Sequence, residues 1–223
     1  LDGGLAFVLY GPCRIEKVIK DKRLNIRCRT EYPFNDRISI RVGSSGKVTM
    51  PFYLRIPGWC TDYSVKVNGK RIREKSKDGF IKVFRTWQDG DRIELVFPMM
   101  VKVTAEKETP YPDVKYFATT KPASERNVEN PFECVTYGPL LYALPIRDIN
   151  ANKKDPEARY DYALDVAAGR GKNGIKIVKT KMKGGPWKWG LYEAPVKLLV
   201  RARAFNWRPS EMQPLPEEAV KDA

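Results

Sequence analysis

The amino-acid sequence predicts an all-β protein made of two antiparallel β-sandwich domains. In the first hundred residues, apolar residues alternate with polar ones in eight short segments, as in strands with one buried and one exposed face. Turn residues separate the segments roughly every 8–12 residues, which is typical of a sandwich. No helix of useful length fits this half. The predicted strands are 5–10, 14–19, 24–30, 37–42, 47–56, 63–67, 80–85 and 91–97.

The clearest elements lie between residues 51 and 100. The Asn68-Gly69 pair supplies the positive backbone angles that a tight two-residue hairpin needs. The WQDGD turn (87–91) then leads into an alternating segment, 93–97. These signals predict antiparallel hairpins rather than any other arrangement of the strands.

The second half has a weaker pattern. Three prolines forbid regular pairing at their own positions between residues 103 and 131, which predicts a linker or a long connection. We expect a strand pair around Gly138-Pro139, an exposed loop over 150–157, and a polar tail after Trp207. Further strands are predicted at 161–167, 174–181 and 196–205. The predicted domains are a first sandwich (1–104), a connecting loop region (105–131), a second and incomplete sandwich (132–208), and the tail (209–223).

Composition narrows the function classes. The chain has 41 Lys+Arg against 27 Asp+Glu, a formal net charge of +14, and no histidine. The missing histidine excludes Ser-His-Asp and Cys-His catalytic units and every His-ligated metal centre within this sequence. The cations are spread along the chain without a recognition motif, so solvated strand faces are favoured over nucleic-acid binding. No apolar run is long enough to span a bilayer.

The four cysteines do not have the spacing of a metal site. Cys13, Cys28, Cys60 and Cys134 contain no C-x-x-C pair, so we expect no zinc site in this sequence. Cys28 continues the alternation of its segment and is predicted to be a small core residue. Whether any of the cysteines form a disulfide stays open.

The aromatic residues include candidates for sugar binding. Trp187, Trp189 and Tyr192 follow a Gly-Gly-Pro break and are the best candidates for an exposed platform on which sugar rings could stack. Trp59 and Trp87 lie beside turns of the sandwich pattern and are predicted to be core residues.

The carboxylates give no comparable candidate. Asp89 and Asp91 bracket Gly90, where Asp is favoured for local hydrogen bonds to the backbone. We therefore interpret this acidic pair as structural, and predict no catalytic residue in the chain.

Seven short segments resemble the C-terminal region of glycoside hydrolase family 127, the β-L-arabinofuranosidase-like proteins. They occur in the order of that family and at about its spacing, and together they cover most of residues 1–145. The segments are LDGGLAFVLY (1–10), TEYPF (30–34), LRIPGW (54–59), VNG (67–69), WQDGD (87–91), FPM (97–99) and YGPLLY (137–142).

The resemblance implies an architecture in which an N-terminal (α/α)6 barrel precedes the β-sandwich domains. It also implies that the catalytic apparatus, a zinc-bound cysteine nucleophile with Cys and Glu ligands and an acid/base Glu, lies in that barrel. Cys13 and Cys28 do not match the adjacent-cysteine motif of the family and do not inherit its role. The sequence begins without a Met, so we expect a piece of a longer protein from which the catalytic barrel is absent.

These observations lead to one functional expectation and one alternative. We expect the non-catalytic β-sandwich portion of a glycoside hydrolase acting on arabinose-containing glycans, inactive alone and supporting its own N-terminal barrel. No cofactor is expected in this portion, and zinc is implied only for the barrel. The alternative is an autonomous carbohydrate-binding module with a glycan as ligand. The sequence does not determine the sugar, the linkage, the oligomeric state or the cellular compartment.

Overall fold

The computed structural model describes residues 2–19, 21–107, 131–143, 148–150, 153–154, 162–164, 174–180 and 194–204. Every regular element in these ranges is a strand, which confirms the all-β fold class. The chain divides into two compact units, Leu1–Met100 and Val101–Ala223. The more finely divided domain bounds given above stay predictions. The described part of the chain contains no helix that could cross a bilayer.

The first unit is a sandwich of nine strands. They are β1 Leu5–Phe7, β2 Cys13–Ile19, β3 Lys22–Thr30, β4 Arg37–Ser44, β5 Val48–Arg55, β6 Ser64–Val67, β7 Lys70–Arg71, β8 Phe80–Trp87 and β9 Arg92–Val96. One sheet has six antiparallel strands in the order β2-β3-β4-β9-β6-β7. The other has the order β1-β5-β8, with β1 parallel and β8 antiparallel to β5.

The inner faces of the two sheets meet in one apolar core. Phe52 and Trp87 are fully buried and stack with ring centroids 4.2 Å apart. The indole Nε1 of Trp87 donates to the Met50 carbonyl at 3.0 Å, so that its one polar atom has a partner. Apolar side chains that point inward, mostly from alternate strand positions, fill the rest of the core. They include Ile26, Ile38, Ile40, Val42, Leu54, Val65, Ile81, Ile93, Leu95 and Phe97.

All eight strands predicted for this unit are present, with ends that differ by a few residues. The hairpin turn is also as predicted, because Asn68 and Gly69 have φ angles of 50° and 78°. The short strand β7 was not predicted. Both of its residues are exposed cations, so it has no alternation to reveal it.

The second unit contains short strands. They are β10 Val101–Lys107, β11 Pro131–Tyr137, β12 Leu140–Tyr142, β13 Asp148–Asn150, β14 Lys153–Lys154, β15 Tyr162–Leu164, β16 Ile175–Lys179, β17 Val196–Val200 and β18 Ala202–Ala204. All of their pairings are antiparallel. The strand pair expected around Gly138-Pro139 is confirmed by β11 and β12.

Two loop predictions in this unit were wrong in part. Glu106 and Lys107 were predicted to lie in a loop but end strand β10, where they pair with Phe132 and Pro131. The predicted loop 150–157 contains β14, which pairs with β13. Cross-strand hydrogen bonds, with β11 in the first case and with the adjacent β13 in the second, override a polar, strand-poor composition.

Candidate functional site

The first unit gathers four aromatic residues at one end of the sandwich. Tyr10, Tyr32, Trp59 and Phe97 each follow the last residue of a strand, namely β1, β3, β5 and β9 respectively. The Phe97 ring centroid lies 5.6 Å from that of Tyr10, 6.3 Å from that of Tyr32 and 6.4 Å from that of Trp59. Three ring pairs meet edge-on, an arrangement that aromatic rings favour. They are Tyr10–Tyr32, Tyr32–Phe97 and Trp59–Phe97. We call this group the aromatic cluster.

The polar atoms of the aromatic cluster are unequally satisfied. The Tyr10 hydroxyl donates to the Arg55 carbonyl at 2.8 Å, and burial raises the pKa of Tyr10 well above its usual range. Burial also raises the pKa of Tyr32, while the neighbouring Trp59 indole opposes that rise. The Trp59 Nε1 is itself buried, and the Tyr32 hydroxyl is the polar group with which it interacts.

Exposed apolar side chains lie close in sequence to this cluster. Val8 and Leu9 immediately precede Tyr10 and are 49% and 81% exposed, and Met100, three residues after Phe97, is 72% exposed. Scattered exposed apolar residues are normal, but these three are all within three residues of Tyr10 or Phe97 in the sequence. We call them the apolar border.

A polar network occupies the opposite end of the unit. Asp91 is only 3% exposed, and its carboxylate accepts from Asn68 Nδ2 at 2.7 Å and from the Gln88 amide at 3.1 Å. The Arg85 guanidinium lies 3.5 Å from the same carboxylate and over the Trp87 ring. Asn68 Oδ1 also accepts from the Arg92 amide at 2.8 Å. The network therefore joins the hairpin turn to the WQDGD turn, and it confirms the structural interpretation of Asp91.

The cysteines are free thiols. Cys13 and Cys28 lie directly opposite each other on β2 and β3, a juxtaposition that their separation in sequence did not reveal. Burial raises the pKa of Cys28 to about 12. Cys28 is a core residue, as predicted. Within the described ranges no group of three metal-ligating side chains occurs.

The structure describes some of the aromatic residues discussed above for sugar stacking, but not all of them. Trp187, Trp189 and Tyr192 lie outside the described residues, and their role stays a prediction. Trp87 is a core residue, as predicted. Trp59 packs against the core but is only partly buried, so its prediction as a core residue is confirmed only in part.

Residues 2–100 form a β-sandwich domain. The aromatic cluster lies in the loops at one end of it, and the polar network joins two turns at the other end. Residues 4–99 match the family model of the middle domain of GH127 β-L-arabinofuranosidases. The chain thus resembles the β-sandwich region of that family, which confirms the resemblance found in the sequence. No curated protein matches the chain.

Three solved structures are also similar, two of which are described as GH127 enzymes. A GH127 β-L-arabinofuranosidase from Geobacillus stearothermophilus T6 is 26% identical, with a TM-score of 0.48, over 63% of this chain and 20% of that one. A second GH127 β-arabinofuranosidase is 22% identical, with a TM-score of 0.47, over 63% of this chain and 22% of that one. A protein described as a glycoside hydrolase is 20% identical, with a TM-score of 0.48, over 88% and 32% respectively. The chain spans between a fifth and a third of the length of these structures.

The shared segments fall into two groups in space. The aromatic cluster takes one residue each from the segments 1–10, 30–34, 54–59 and 97–99, and the polar network draws on 67–69 and 87–91. Six of the seven segments thus meet at the two ends of one sandwich.

Proposed function

We propose that this chain is a non-catalytic β-sandwich portion of a glycoside hydrolase that acts on arabinose-containing glycans. It supports a catalytic domain located elsewhere in the same polypeptide. The observation that carries the proposal is the match of residues 4–99 to a middle domain, a domain that has neighbours within its own chain. The end of the sandwich with the aromatic cluster is the surface we assign to that contact.

The physical case for this contact is the apolar border. Burying Val8, Leu9 and Met100, which are all exposed, removes apolar surface from water and contributes about 25 cal/mol for each Å² buried. A contact surface with an apolar centre fits a protein neighbour better than it fits water.

Reconstitution tests the proposal. The catalytic domain of the parent protein would be produced without this chain and assayed on an aryl β-L-arabinofuranoside, with and without the 223-residue chain added. We expect this chain alone to be inactive and to raise the activity or thermal stability of the catalytic domain. Turnover by this chain alone would contradict the proposal.

A matched pair of variants tests the assigned surface. Leu9→Asp places a charge in the apolar border, whereas Val18→Asp places one at a residue that is 67% exposed on edge strand β2. We expect Leu9→Asp to weaken association with the catalytic domain by about tenfold or more, because a buried unpaired charge costs more than 1.4 kcal/mol. Val18→Asp should leave association unchanged. Equal effects of both variants would place the contact elsewhere.

A further inference from the structure

The outer face of the six-stranded sheet carries a row of four arginines. Arg14 pairs with Arg27, Arg27 pairs with Arg41, and Arg41 pairs with Arg92, across the adjacent strands β2, β3, β4 and β9. All four are exposed, and they alternate with inward residues that form the core. Neighbouring strands lie about 4.8 Å apart, so the row spans about 14 Å. We call these residues the arginine row.

The arginine row is unfavourable for the sandwich itself. Like charges directly opposite on neighbouring strands destabilise a sheet. Among the residues described, only Arg14 of this row forms an ion pair, at 2.6 Å with Glu16. Three opposed pairs of cations therefore stand side by side with little internal compensation, and an external anion would relieve their repulsion.

The surroundings extend the same charge. Arg29, Arg37, Lys66 and Arg71 occupy further outward positions of this sheet, and the acidic residues near the face are Glu16, Asp89 and Glu94. The positive charge that is spread in the sequence is thus concentrated by strand register. The sequence predicted solvated cations at outward strand positions, and these residues are exposed; their concentration on one face was not predicted.

We propose that the arginine row binds a linear, carboxylate-bearing glycan that crosses strands β2, β3, β4 and β9. The glycan class rests on the proposed function, because a domain of a glycan-degrading enzyme encounters such polymers. The planar guanidinium group presents paired donors that match the two oxygens of a carboxylate. Four such groups at the strand spacing offer regularly repeated contacts to a polymer whose acidic groups also repeat.

Nucleic acid fits this face less well than an acidic glycan. Single strands are held by stacking of bases on aromatic rings, and no outward position of the described strands of this sheet carries an aromatic residue. Duplex DNA is read by helices or two-stranded ribbons that enter its grooves, whereas this face is the broad side of a six-stranded sheet. The face therefore favours a flexible polyanion that lies across a flat surface.

The test measures binding of the 223-residue chain to an oligogalacturonate by titration calorimetry, with neutral arabinan and single-stranded and duplex DNA as comparisons. We expect binding to the oligogalacturonate that weakens as NaCl is raised, because screening reduces exposed electrostatic contacts. Arg27→Gln combined with Arg41→Gln should weaken it about tenfold, as expected for the loss of two exposed charge pairs. Lys75→Gln combined with Lys77→Gln, which removes the same charge from the 72–77 loop, should change it by less than about twofold.

Each outcome decides the proposal. The arginine variant should fold normally, since removing opposed like charges is neutral or stabilising, so a loss of binding would report on the arginine row. Tighter binding of DNA, equal losses in the two double variants, or no binding to oligogalacturonate would overturn the proposal. The reconstitution experiment with the catalytic domain uses a neutral substrate and does not depend on the arginine row. A failure of oligogalacturonate binding therefore does not contradict the proposed function, and a failure of reconstitution would be detected separately.

Discussion

Replacing Asn68 tests how much the polar network contributes to the stability of the first unit. Asn68→Gly removes two side-chain hydrogen bonds, one to the buried Asp91 carboxylate and one from the Arg92 amide, at 2.7 and 2.8 Å. It keeps the backbone free to adopt the φ of 50°. A hydrogen bond to a charged group contributes about 1.5–3 kcal/mol and a neutral one about 1 kcal/mol. Because Asn68 is exposed, the lower end of each range applies, and we expect the free energy of unfolding to fall by about 2–3 kcal/mol.

Asn68→Ala and Asp89→Ala complete the series. Asn68→Ala removes the same two bonds and also forces a residue with a Cβ into the left-handed region, which costs about 1 kcal/mol more. Asp89→Ala removes one long, exposed hydrogen bond from the same motif, which the Asp89 carboxylate accepts from the Ser44 amide at 3.2 Å. That control should cost less than about 1 kcal/mol.

The assay is urea unfolding of the full chain, followed by hydrogen exchange of peptides from strands β6 and β9, which reports on the first unit alone. The expected order of destabilisation is Asn68→Ala, then Asn68→Gly, then Asp89→Ala. If Asn68→Gly cost no more than Asp89→Ala, the network would not stabilise the fold as argued.

Three other outcomes follow from the thiols and the aromatic candidates. The pKa of Cys28 in the folded chain, about 12, lies above its ordinary value of 9.0. The stability that this difference contributes is therefore fully present below pH 9 and is lost as the pH rises from 9 toward 12. The stability of Cys28→Ala should accordingly depend less steeply on pH in this range. Oxidised glutathione should link Cys13 to Cys28, because opposed residues on antiparallel strands have Cα atoms about 4.5–5.5 Å apart, within the range of disulfides. Two glutathione thiols would be released for each bond formed, and Cys13→Ser should prevent the link, as shown by intact mass after alkylation. Finally, if the chain is a carbohydrate-binding module, Trp187→Ala and Trp189→Ala should each abolish arabinan binding in calorimetry; binding that survives both would reject these tryptophans as the platform.

Alternation and turn chemistry were sufficient to predict the strands of the first unit. The core residues Ile38 and Ile40 lie where period-two alternation placed them, because each strand has one face that must leave water. Trp87 is buried beside its turn, as predicted. Asn68-Gly69 also predicted its own turn, since few residue pairs tolerate two positive φ angles. Local patterns therefore determined the local structure.

The arrangements that depend on strand register could not be predicted. Arg14, Arg27, Arg41 and Arg92 are separated in sequence, and only the order of the strands and the pairing between them bring them into one row. The aromatic cluster has the same origin, because its members follow four different strands. Turn residues indicate only which consecutive strands form hairpins, and periodicity does not give the order of strands across a sheet, so neither feature can be derived from periodicity alone.

The position of the shared segments at the two ends of the sandwich has a consequence for how such a domain can change. The loops at the ends carry the contacts that fix the turns, whereas an outward strand position is constrained mainly by strand propensity and by its cross-strand neighbours. The broad exterior of the sheet can therefore acquire or lose a charge pattern while the ends and the core stay the same.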